Sequence, residues 1–321
     1  MYLARKGWLG EDEAISRLTK PGEGNMNYTL RVETAVRTLI VKQARGYVEK
    51  YPTIAAPPER AVIEGRFYQK IARNPALSQF MPTLLGVDEE QSVLVLEDLG
   101  TASDYTILYQ QGSKLHADDA RQLTTYLSLL HTQFATTEPE PSFANGAMRA
   151  LNHAHLFDLP FRPDNGFDLD TVQPGLQAAA RPYQQDDALR TTAQRLGQHY
   201  LAPPPAGTSA TLLHGDFYPG SWLQTARGVR VIDPEFCFYG PAEFDLGVML
   251  AHLLMARQDD ALLEQVRNHY TRPHGFDERL MQQFTGVELL RRLIGLAQLP
   301  LSLSLDEKAA LLRQGAALLM E

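Results

Sequence analysis

Residues 211–247 constrain this chain more than any other stretch, because acidic residues follow apolar runs in a fixed order. The motif HGD, ending in Asp216, follows one apolar run, and DPE, with Asp233 and Glu235, follows a second. FDLG, with Asp245, then opens a helical pattern. Each acidic residue alone is typical of an ordinary turn or helix cap. Their order and spacing together favour a site for a metal ion and a nucleotide.

The apolar runs in this stretch predict a buried strand over 211–213 and a hairpin over 222–232. Loop geometry at the ends of these elements is expected to bring Asp216, Asp233 and Glu235 close together. Clustered carboxylates repel one another unless a cation joins them. Mg²⁺ is the predicted cation, because it prefers hard oxygen ligands and keeps phosphates and water in its other positions.

These motifs resemble the aminoglycoside phosphotransferase and choline kinase family, which shares the protein-kinase fold. The string IDPEFCFYGP at 232–241, and Gly-Ser after HGD, resemble the methylthioribose kinases in particular. Most of the wider family has a metal-binding Asn where this chain has Ser221, whereas methylthioribose kinases also have Ser there and bring the Glu of D-x-E to the metal. The resemblance implies an α+β, bilobal protein-kinase-like fold. A small N-terminal β-sheet lobe would span residues 1–100, and a larger, mostly helical C-terminal lobe 101–321.

Near the N-terminus, the sequence PGEGNMN predicts a tight turn between strands. Gly22 and Gly24 allow backbone N–H groups to be exposed, and Asn27 tolerates the left-handed conformation almost as well as a third glycine. Two glycines in a hairpin are more often only a turn. The family resemblance implies that this loop covers the phosphates of ATP.

Lys42 ends a β-rich run, as the phosphate-pairing lysine of kinases does, although a solvated strand-end lysine is an equal alternative. Glu64 lies beside a helical apolar stripe, where most glutamates are simply solvated. The kinase resemblance implies instead that it pairs with Lys42. The kinase resemblance implies a hinge after an apolar strand, where the backbone of Glu97 and Leu99 would receive the adenine. Residues 43–58 read as an ordered insertion of unassigned role near the nucleotide.

Elsewhere the pattern predicts five further segments: an amphipathic helix within 1–20, a strand at 93–96, helices over 120–134 and 248–256, and a stiff linker at 202–207. Asp245, at the start of the 248–256 helix, resembles the kinase aspartate that accepts hydrogen bonds from the catalytic loop.

On the acceptor side, Arg291 and Arg292 lie in an otherwise apolar helix, where burial is costly without anionic partners. A structural salt bridge is one interpretation. The resemblance implies the other, that the pair binds the sugar. His153 and His155 lie in a segment that reads as a loop on the substrate side, with a plain surface loop as the alternative.

Composition and net charge limit the expected partners and cellular location of the protein. The chain has 321 residues, a net charge of −8 and one cysteine, Cys237. The negative charge argues against nucleic-acid and anionic-membrane partners, because both need a basic surface. A lone cysteine cannot form an internal disulfide, and no apolar run reaches the length of a membrane span, so we expect a cytoplasmic protein. The sequence leaves a homodimer open.

The predicted activity is ATP- and Mg²⁺-dependent phosphorylation of a sugar or other small alcohol. Asp216 would be the catalytic base, Asp233 and Glu235 the metal ligands, and Ser221 part of the cofactor site. The resemblance implies 5-methylthioribose, phosphorylated at O1, as acceptor. Compared with the methylthioribose kinases that it resembles, the chain is shorter in the middle of the second lobe, and a shortened lid leaves 5-deoxyribose open. The alternatives are an aminoglycoside, choline or homoserine-like acceptor, or an inactive nucleotide-binding pseudokinase.

Overall fold

The computed structural model describes residues 2–10, 12–22, 26–202 and 209–321. Their contacts divide the chain into two units. The first unit comprises Met1–Ser103 and Leu223–Cys237, and the second comprises Asp104–Trp222 and Phe238–Glu321. Residues 223–237 thus group with the first unit, although the predicted second lobe runs unbroken from 101 to 321. As separate domains, the two predicted lobes stay a prediction. The predicted linker lies, from residue 203 onward, outside the described residues.

The helices of the described residues are α1 (Tyr2–Arg5), α2 (Arg60–Ile71), α3 (Pro75–Ser78), α4 (Ala117–Gln133), α5 (Gly146–His153), α6 (Leu176–Gln184), α7 (Asp187–Leu201), α8 (Glu243–Met255), α9 (Asp260–His269), α10 (Glu278–Ile294) and α11 (Leu305–Met320). The strands are β1 (Ile15–Thr19), β2 (Tyr28–Thr34), β3 (Thr38–Gln43), β4 (Tyr47–Val48), β5 (Tyr51–Ala55), β6 (Leu84–Asp88), β7 (Val93–Glu97), β8 (Ser103–Asp104), β9 (Thr211–Leu213), β10 (Trp222–Thr225), β11 (Gly228–Val231) and β12 (Phe238–Gly240).

The first unit is built on an antiparallel sheet of five strands in the order β1-β2-β3-β7-β6. Alternate residues of β7 face opposite sides, so Val93 and Val95 pack in one apolar cluster while Leu94 packs with Ala61 of α2 in another. Lys42 lies directly opposite Leu94 in the register of β3 and β7. Residues that lie opposite share a face, so Lys42 points toward α2.

The N-terminal helix prediction is wrong beyond its first residues. Helix α1 ends at Arg5, and residues 15–19 form edge strand β1, in which Leu18 lies opposite Val32 of β2. Ile15 and Leu18 have helical spacing, but Leu18 is 55% exposed and therefore gives no buried helical face. Backbone pairing with β2 satisfies the hydrogen-bonding groups of this segment, and it overrides the weak helical pattern.

The core of the second unit surrounds α8 and α10, whose buried residues include Phe244, Val248, Phe284 and Leu290. Helices α10 and α11 cross closely at glycine. A Cβ atom on Gly286 would lie 2.5 Å from the carbonyl oxygen of Gly315, so no larger residue fits there without a shift. In the part of the chain that the structure describes, no helix has the length and apolar character needed to cross a membrane.

Strand β9 pairs antiparallel with β12 in the second unit, with Leu213 opposite Phe238. The strand predicted at 211–213 and the hairpin of β10 and β11 are both confirmed. The predicted strand at 93–96 and the helices over 120–134 and 248–256 also form, as β7, α4 and α8. The HGD motif therefore begins directly after a buried strand end.

Candidate active site

In the second unit, Asp245 holds the HGD loop through its backbone. Its Oδ2 accepts a hydrogen bond from the N–H of His214 at 2.7 Å, and Oδ1 accepts one from Gly215 at 3.0 Å. His131 Nε2 lies 3.2 Å from the same Oδ2, and Asp245, His214 and His131 are all fully buried. Gly215 has φ +85°, which glycine adopts without strain. The predicted role of Asp245 is confirmed, and it fixes the loop that carries Asp216.

The Asp216 carboxylate lies next to the arginine pair of α10. Its Oδ1 is 3.3 Å from Nη2 of Arg292, although the two residues are 76 positions apart. The side chain of Asp216 is 21% exposed, so solvent and small molecules can reach it. Burial raises the pKa of Asp216, and the charges of Arg292 and Arg291 oppose this shift without cancelling it. Asp216 is thus a carboxylate of increased basicity with a cation beside it.

Ser221 supports the loop from its far end. Its hydroxyl donates to the backbone carbonyl oxygen of Asp216 at 2.9 Å, and the residue is buried. A Cβ atom on Gly220 would lie 2.4 Å from the hydroxyl oxygen of Tyr218, so the glycine makes room for this ring. The guanidinium of Arg292 lies 4.9 Å from the centre of the Tyr218 ring, within cation–π range. The Gly-Ser pair therefore has a local packing role.

Both arginines of the pair bind the same buried carboxylate, Glu288, one helical turn earlier on α10. Arg291 Nη1 donates to Oε2 at 2.9 Å, and Arg292 Nε donates to Oε1 at 2.7 Å. Burial would raise the pKa of Glu288, but Arg291 and Arg292 hold it well below its usual value. The structural salt bridge considered from the sequence therefore exists. Arg292 also reaches Asp216, so it is not confined to that salt bridge.

In the first unit, Lys42 binds two carboxylates. Its Nζ lies 2.8 Å from Oε1 of Glu64 on α2 and forms a second ion pair with Asp233. Burial opposes the charged lysine, but Asp233 and Glu64 outweigh this and hold the pKa of Lys42 well above its usual value. The structure thus brings together Lys42, Glu64 and Asp233. Lys42 is a buried cation held in place by both carboxylates.

Asp233 has a backbone conformation that non-glycine residues rarely adopt, with φ +66°. The residue precedes Pro234, which further restricts its conformations. Backbone strain of this kind concentrates at functional sites. The side chain of Asp233 is 40% exposed, so it is accessible from solvent.

Glu235 lies in a buried network with Asn27 and Arg60. Asn27 Nδ2 donates to Oε2 of Glu235 at 2.9 Å, and Nε of Arg60 lies 3.3 Å from the same oxygen. Arg60 Nε also donates to Oδ1 of Asn27 at 2.9 Å. Burial and the nearby Glu64 raise the pKa of Glu235 to about 8, although Arg60 opposes the shift. The side chain of Asn27 therefore makes hydrogen bonds to other side chains of the protein.

The residues of the predicted tight turn differ in structure and role from the prediction. Gly22 lies in an exposed bend, and Gly24 lies outside the described residues. Asn27 is not among the non-glycine residues with positive φ, so it does not use the left-handed conformation that asparagine tolerates. Its two side-chain bonds, rather than backbone freedom, explain an asparagine at this position.

At the predicted hinge, the Glu97 side chain is occupied within the first unit. It accepts hydrogen bonds from Thr83 and pairs with Arg227 at 2.6 Å. The N–H of Glu97 donates to the Thr83 carbonyl at 2.8 Å. An adenine hydrogen bond at Glu97 would therefore use its carbonyl oxygen. Leu99 follows β7 in an irregular segment.

The carboxylates predicted to bind Mg²⁺ lie in different parts of the chain. Within residues 2–10, 12–22, 26–202 and 209–321, no group of three or more His, Cys, Asp or Glu side chains could hold a metal ion. Asp216 belongs to the second unit, and Asp233 and Glu235 belong to the first. Mg²⁺ usually binds one or two carboxylates together with substrate phosphates. The oxygen donors of Asp233 and Glu235 fit that chemistry.

The segment with His153 and His155 is helical, which corrects the prediction of a loop. Helix α5 ends at His153, and Ala154–Asp158 forms a π-helical turn. His153 Nε2 is buried without a hydrogen-bond partner in the described chain, and a Cβ atom on Gly197 would lie 2.5 Å from it. Burial and the charge of Arg291 lower the pKa of His155.

Sequence reasoning missed Glu288 and Arg60. Glu288 precedes the arginine pair by three and four residues, which is the spacing of helical ion pairs and could have identified it. Arg60 has no comparable signal. Its partners Met26, Asn27 and Tyr47 lie in other elements, so only the tertiary structure reveals it.

Similarity to known proteins shows the family of this chain. A family model described as the phosphotransferase enzyme family, APH, matches residues 17–284. The chain belongs to this family. Helices accompanying an antiparallel sheet agree with the predicted α+β, protein-kinase-like fold of such phosphotransferases.

The relatives of this chain include proteins named methylthioribose kinase. The protein from Bacillus cereus strain ZK / E33L is 27% identical over 73% of this chain and 59% of its own length. The protein from Exiguobacterium sibiricum is 28% identical over 93% of this chain and 86% of its own length. This APH-family chain thus spans little more than half of the B. cereus relative.

Among solved structures, choline kinase LicA from Streptococcus pneumoniae, in its complex with AMP, has a TM-score of 0.55 to this chain. It is 13% identical and covers 98% of this chain and 95% of its own. At this identity the likeness supports the fold alone.

Proposed function

We propose that this APH-family protein is an ATP- and Mg²⁺-dependent kinase that phosphorylates a hydroxyl group of a small sugar. The observation that carries the proposal is the contact of Asp216 with Arg292, at 3.3 Å. It joins a carboxylate able to act as a base to a pair of arginines able to hold an oxygen-rich acceptor. The relatives named methylthioribose kinase support a sugar as that acceptor.

Asp216 is the proposed catalytic base. It would orient the attacking hydroxyl and accept its proton late in the transfer. Burial raises the pKa of Asp216, which makes its ionised form a stronger base than an exposed aspartate. The N–H bonds from His214 and Gly215 to Asp245 would keep the loop in place during the reaction.

The residues proposed to bind the phosphates and Mg²⁺ belong to the first unit. Lys42, held by Glu64, would bind the phosphates, and the loop with Gly22, Gly24 and Asn27 would cover them. Asp233 and Glu235 would hold Mg²⁺, which when bound neutralises charge on the phosphates.

The adenine would bind to the backbone of Glu97 and Leu99. Because the N–H of Glu97 already donates to Thr83, the carbonyl oxygen of Glu97 is the proposed acceptor. Ser221 would serve the site by supporting the Asp216 backbone through its hydroxyl.

The proposed acceptor is 5-methylthioribose, phosphorylated at O1, with 5-deoxyribose as the related pentose to compare. The charges of Asp216 and Glu288 balance those of Arg291 and Arg292. A buried group without net charge favours an uncharged, hydroxyl-rich acceptor over a cation such as choline. We propose a small-molecule substrate and a cytoplasmic setting, with no nucleic-acid or membrane partner.

The test is ADP release with ATP and Mg²⁺ against 5-methylthioribose, 5-deoxyribose, ribose, choline and kanamycin. We expect turnover on one of the two 5-substituted pentoses, and a loss of about 10²-fold to 10⁴-fold in the Asp216→Asn variant. Asp164→Asn, a neutralised aspartate in an exposed turn, is the matched control and should retain full activity. Turnover only on choline or kanamycin, or ATP binding without turnover on any acceptor, would contradict the proposal.

A further inference from the structure

A chain of hydrogen bonds runs from Tyr109 through His252 to Glu288, all three fully buried in the second unit. The Tyr109 hydroxyl lies 2.6 Å from Nδ1 of His252, and His252 Nε2 lies 3.0 Å from Oε1 of Glu288. Tyr109 ends a 3-10 turn at Tyr105–Tyr109, while His252 is on α8 and Glu288 on α10. Three separate elements thus meet at one carboxylate.

The donor and the acceptor can be assigned in both of these hydrogen bonds. Glu288 is ionised, because Arg291 and Arg292 hold its pKa well below the usual value against the effect of burial. An ionised carboxylate only accepts, so His252 Nε2 must donate to it. Burial lowers the pKa of His252 to about 4, so the ring is neutral and its Nδ1 accepts. The Tyr109 hydroxyl therefore donates to Nδ1 and selects the tautomer of His252.

His252 binds the Glu288 oxygen that Arg292 binds and that Arg291 shares with Oε2. Oε1 of Glu288 accepts from His252 at 3.0 Å, from Arg292 Nε at 2.7 Å and from Arg291 Nη1 at 3.2 Å. The Glu288 carboxylate turns about a broad terminal torsion, so helix packing alone does not fix its plane. His252 is the donor outside the arginine pair that holds this plane, so its bond adds to those of the two guanidinium groups in setting the direction from which each of them binds.

We propose that His252 and Tyr109 are positioning residues for the acceptor. They hold Glu288 so that Arg291 faces the acceptor and Arg292 stays at Asp216. This rests on the proposed function, because the arginine pair is taken as the acceptor site. Neither residue touches the acceptor. Their effect is on acceptor binding and leaves nucleotide binding unchanged.

The test compares two substitutions of one ring. In His252→Gln the amide nitrogen takes the place of Nε2 and can still donate to Glu288. In His252→Asn the shorter side chain takes the place of Nδ1 and cannot reach Glu288. Both substitutions remove the ring packing against Tyr109 and Tyr218, so the melting temperature of each variant is measured together with its KM.

We expect His252→Asn to raise the acceptor KM about tenfold, while His252→Gln stays within about threefold of the unmodified protein. ATP affinity, measured by calorimetry, should be the same in both. Equal KM changes that follow the melting temperatures, or equal losses of ATP affinity, would overturn the proposal and leave His252 a packing residue. The unmodified protein is assayed first on the pentoses, and absence of turnover there counts against the proposed function instead.

Tyr109→Phe supplies an independent readout, because it keeps the ring and removes only the hydroxyl that selects the tautomer. We expect a severalfold rise in acceptor KM and no change in ATP affinity. The matched control is Tyr105→Phe in the same 3-10 turn, which removes a partly buried hydroxyl bonded to Asp119 at 2.9 Å. Equal effects of the two substitutions on the acceptor KM would overturn the proposal.

Discussion

At the scale of the residue, the basicity of Asp216 is set by two opposing effects. Removal from water disfavours the carboxylate and raises its pKa, and the charges of Arg292 and Arg291 favour it. Burial wins, so the pKa stays above that of a free aspartate. A base with a raised pKa is matched to accepting a proton near neutral pH.

The first prediction concerns the pH dependence of kcat. Asp216 must be ionised to act as a base, so activity falls as the pH decreases through its pKa, and the raised pKa moves this acid limb upward. Arg292→Gln removes the largest opposing charge and should move the limb to still higher pH. The measurement is kcat against pH at saturating acceptor. An acid limb that stays in place or moves to lower pH would contradict this assignment.

Single residues also show how far the sequence could be read. The kinase resemblance implies an ion pair of Lys42 with Glu64, and the structure places it at 2.8 Å. The sequence indicates a role for the backbone of Asn27 in the turn, whereas the structure shows hydrogen bonds of its side chain. Its partners Glu235 and Arg60 are distant in sequence, and no local pattern encodes such contacts.

At the scale of the element, Arg60 of α2 organises the insertion that the sequence left without a role. Its Nη1 donates to the carbonyls of Arg45 and Pro57, both at the ends of the hairpin of β4 and β5. Its Nη2 donates to the carbonyl of Met26, beside the predicted phosphate loop. One fully buried guanidinium thus joins the insertion, the loop and Glu235.

The second prediction is that Arg60→Lys weakens ATP binding by about tenfold. An ammonium keeps the charge but cannot reproduce the several fixed donors of a guanidinium, so the loop and Glu235 lose their common anchor. Calorimetric titration with ATP and Mg²⁺ measures the effect, and the acceptor KM should change less than twofold. Arg66→Lys, on the same helix but 39% exposed, is the control.

Asn27→Ala provides a second measurement in case Arg60→Lys disturbs folding. It removes the bonds to Glu235 and Arg60 and leaves the Arg60 bonds to backbone carbonyls. We expect a smaller loss of ATP affinity in the same direction. Unchanged affinity in both variants, with normal melting temperatures, would show that this network does not serve the nucleotide.

Elements with a strong local signal were the ones predicted correctly. Strand β7 is a continuous apolar run, and α8 is apolar over most of its length. Both segments are therefore predicted to be buried, whether the apolar residues are read with the helical or the strand period. Strand β1 was not predicted, because it forms by pairing with β2 and no local sequence pattern indicates that contact. The π-helical turn at Ala154–Asp158 was missed for a similar reason, since its sequence reads as an irregular segment.

At the scale of the whole molecule, the sequence order of the motifs does not follow the grouping of the chain. Residues 223–237 return to the first unit, so DPE belongs with Lys42 and HGD belongs with the arginine pair. The sequence predicted both sets of residues through the family resemblance. It could not assign each motif to its unit, because that assignment depends on long-range contacts.

The third prediction concerns the stability of the whole protein when nucleotide and metal are added or removed. A ligand that binds only the folded state stabilises it by RT ln(1 + [L]/Kd), about 2.7 kcal/mol at 100 times the Kd. ADP with Mg²⁺ should therefore raise the melting temperature by several degrees, and EDTA should remove most of that gain, because the predicted metal ligands cannot bind nucleotide phosphates directly. Lys42→Met lacks the cation that both Glu64 and Asp233 hold, so its melting temperature should not respond to ADP. A full response in Lys42→Met, or one that persists in EDTA, would place the nucleotide elsewhere.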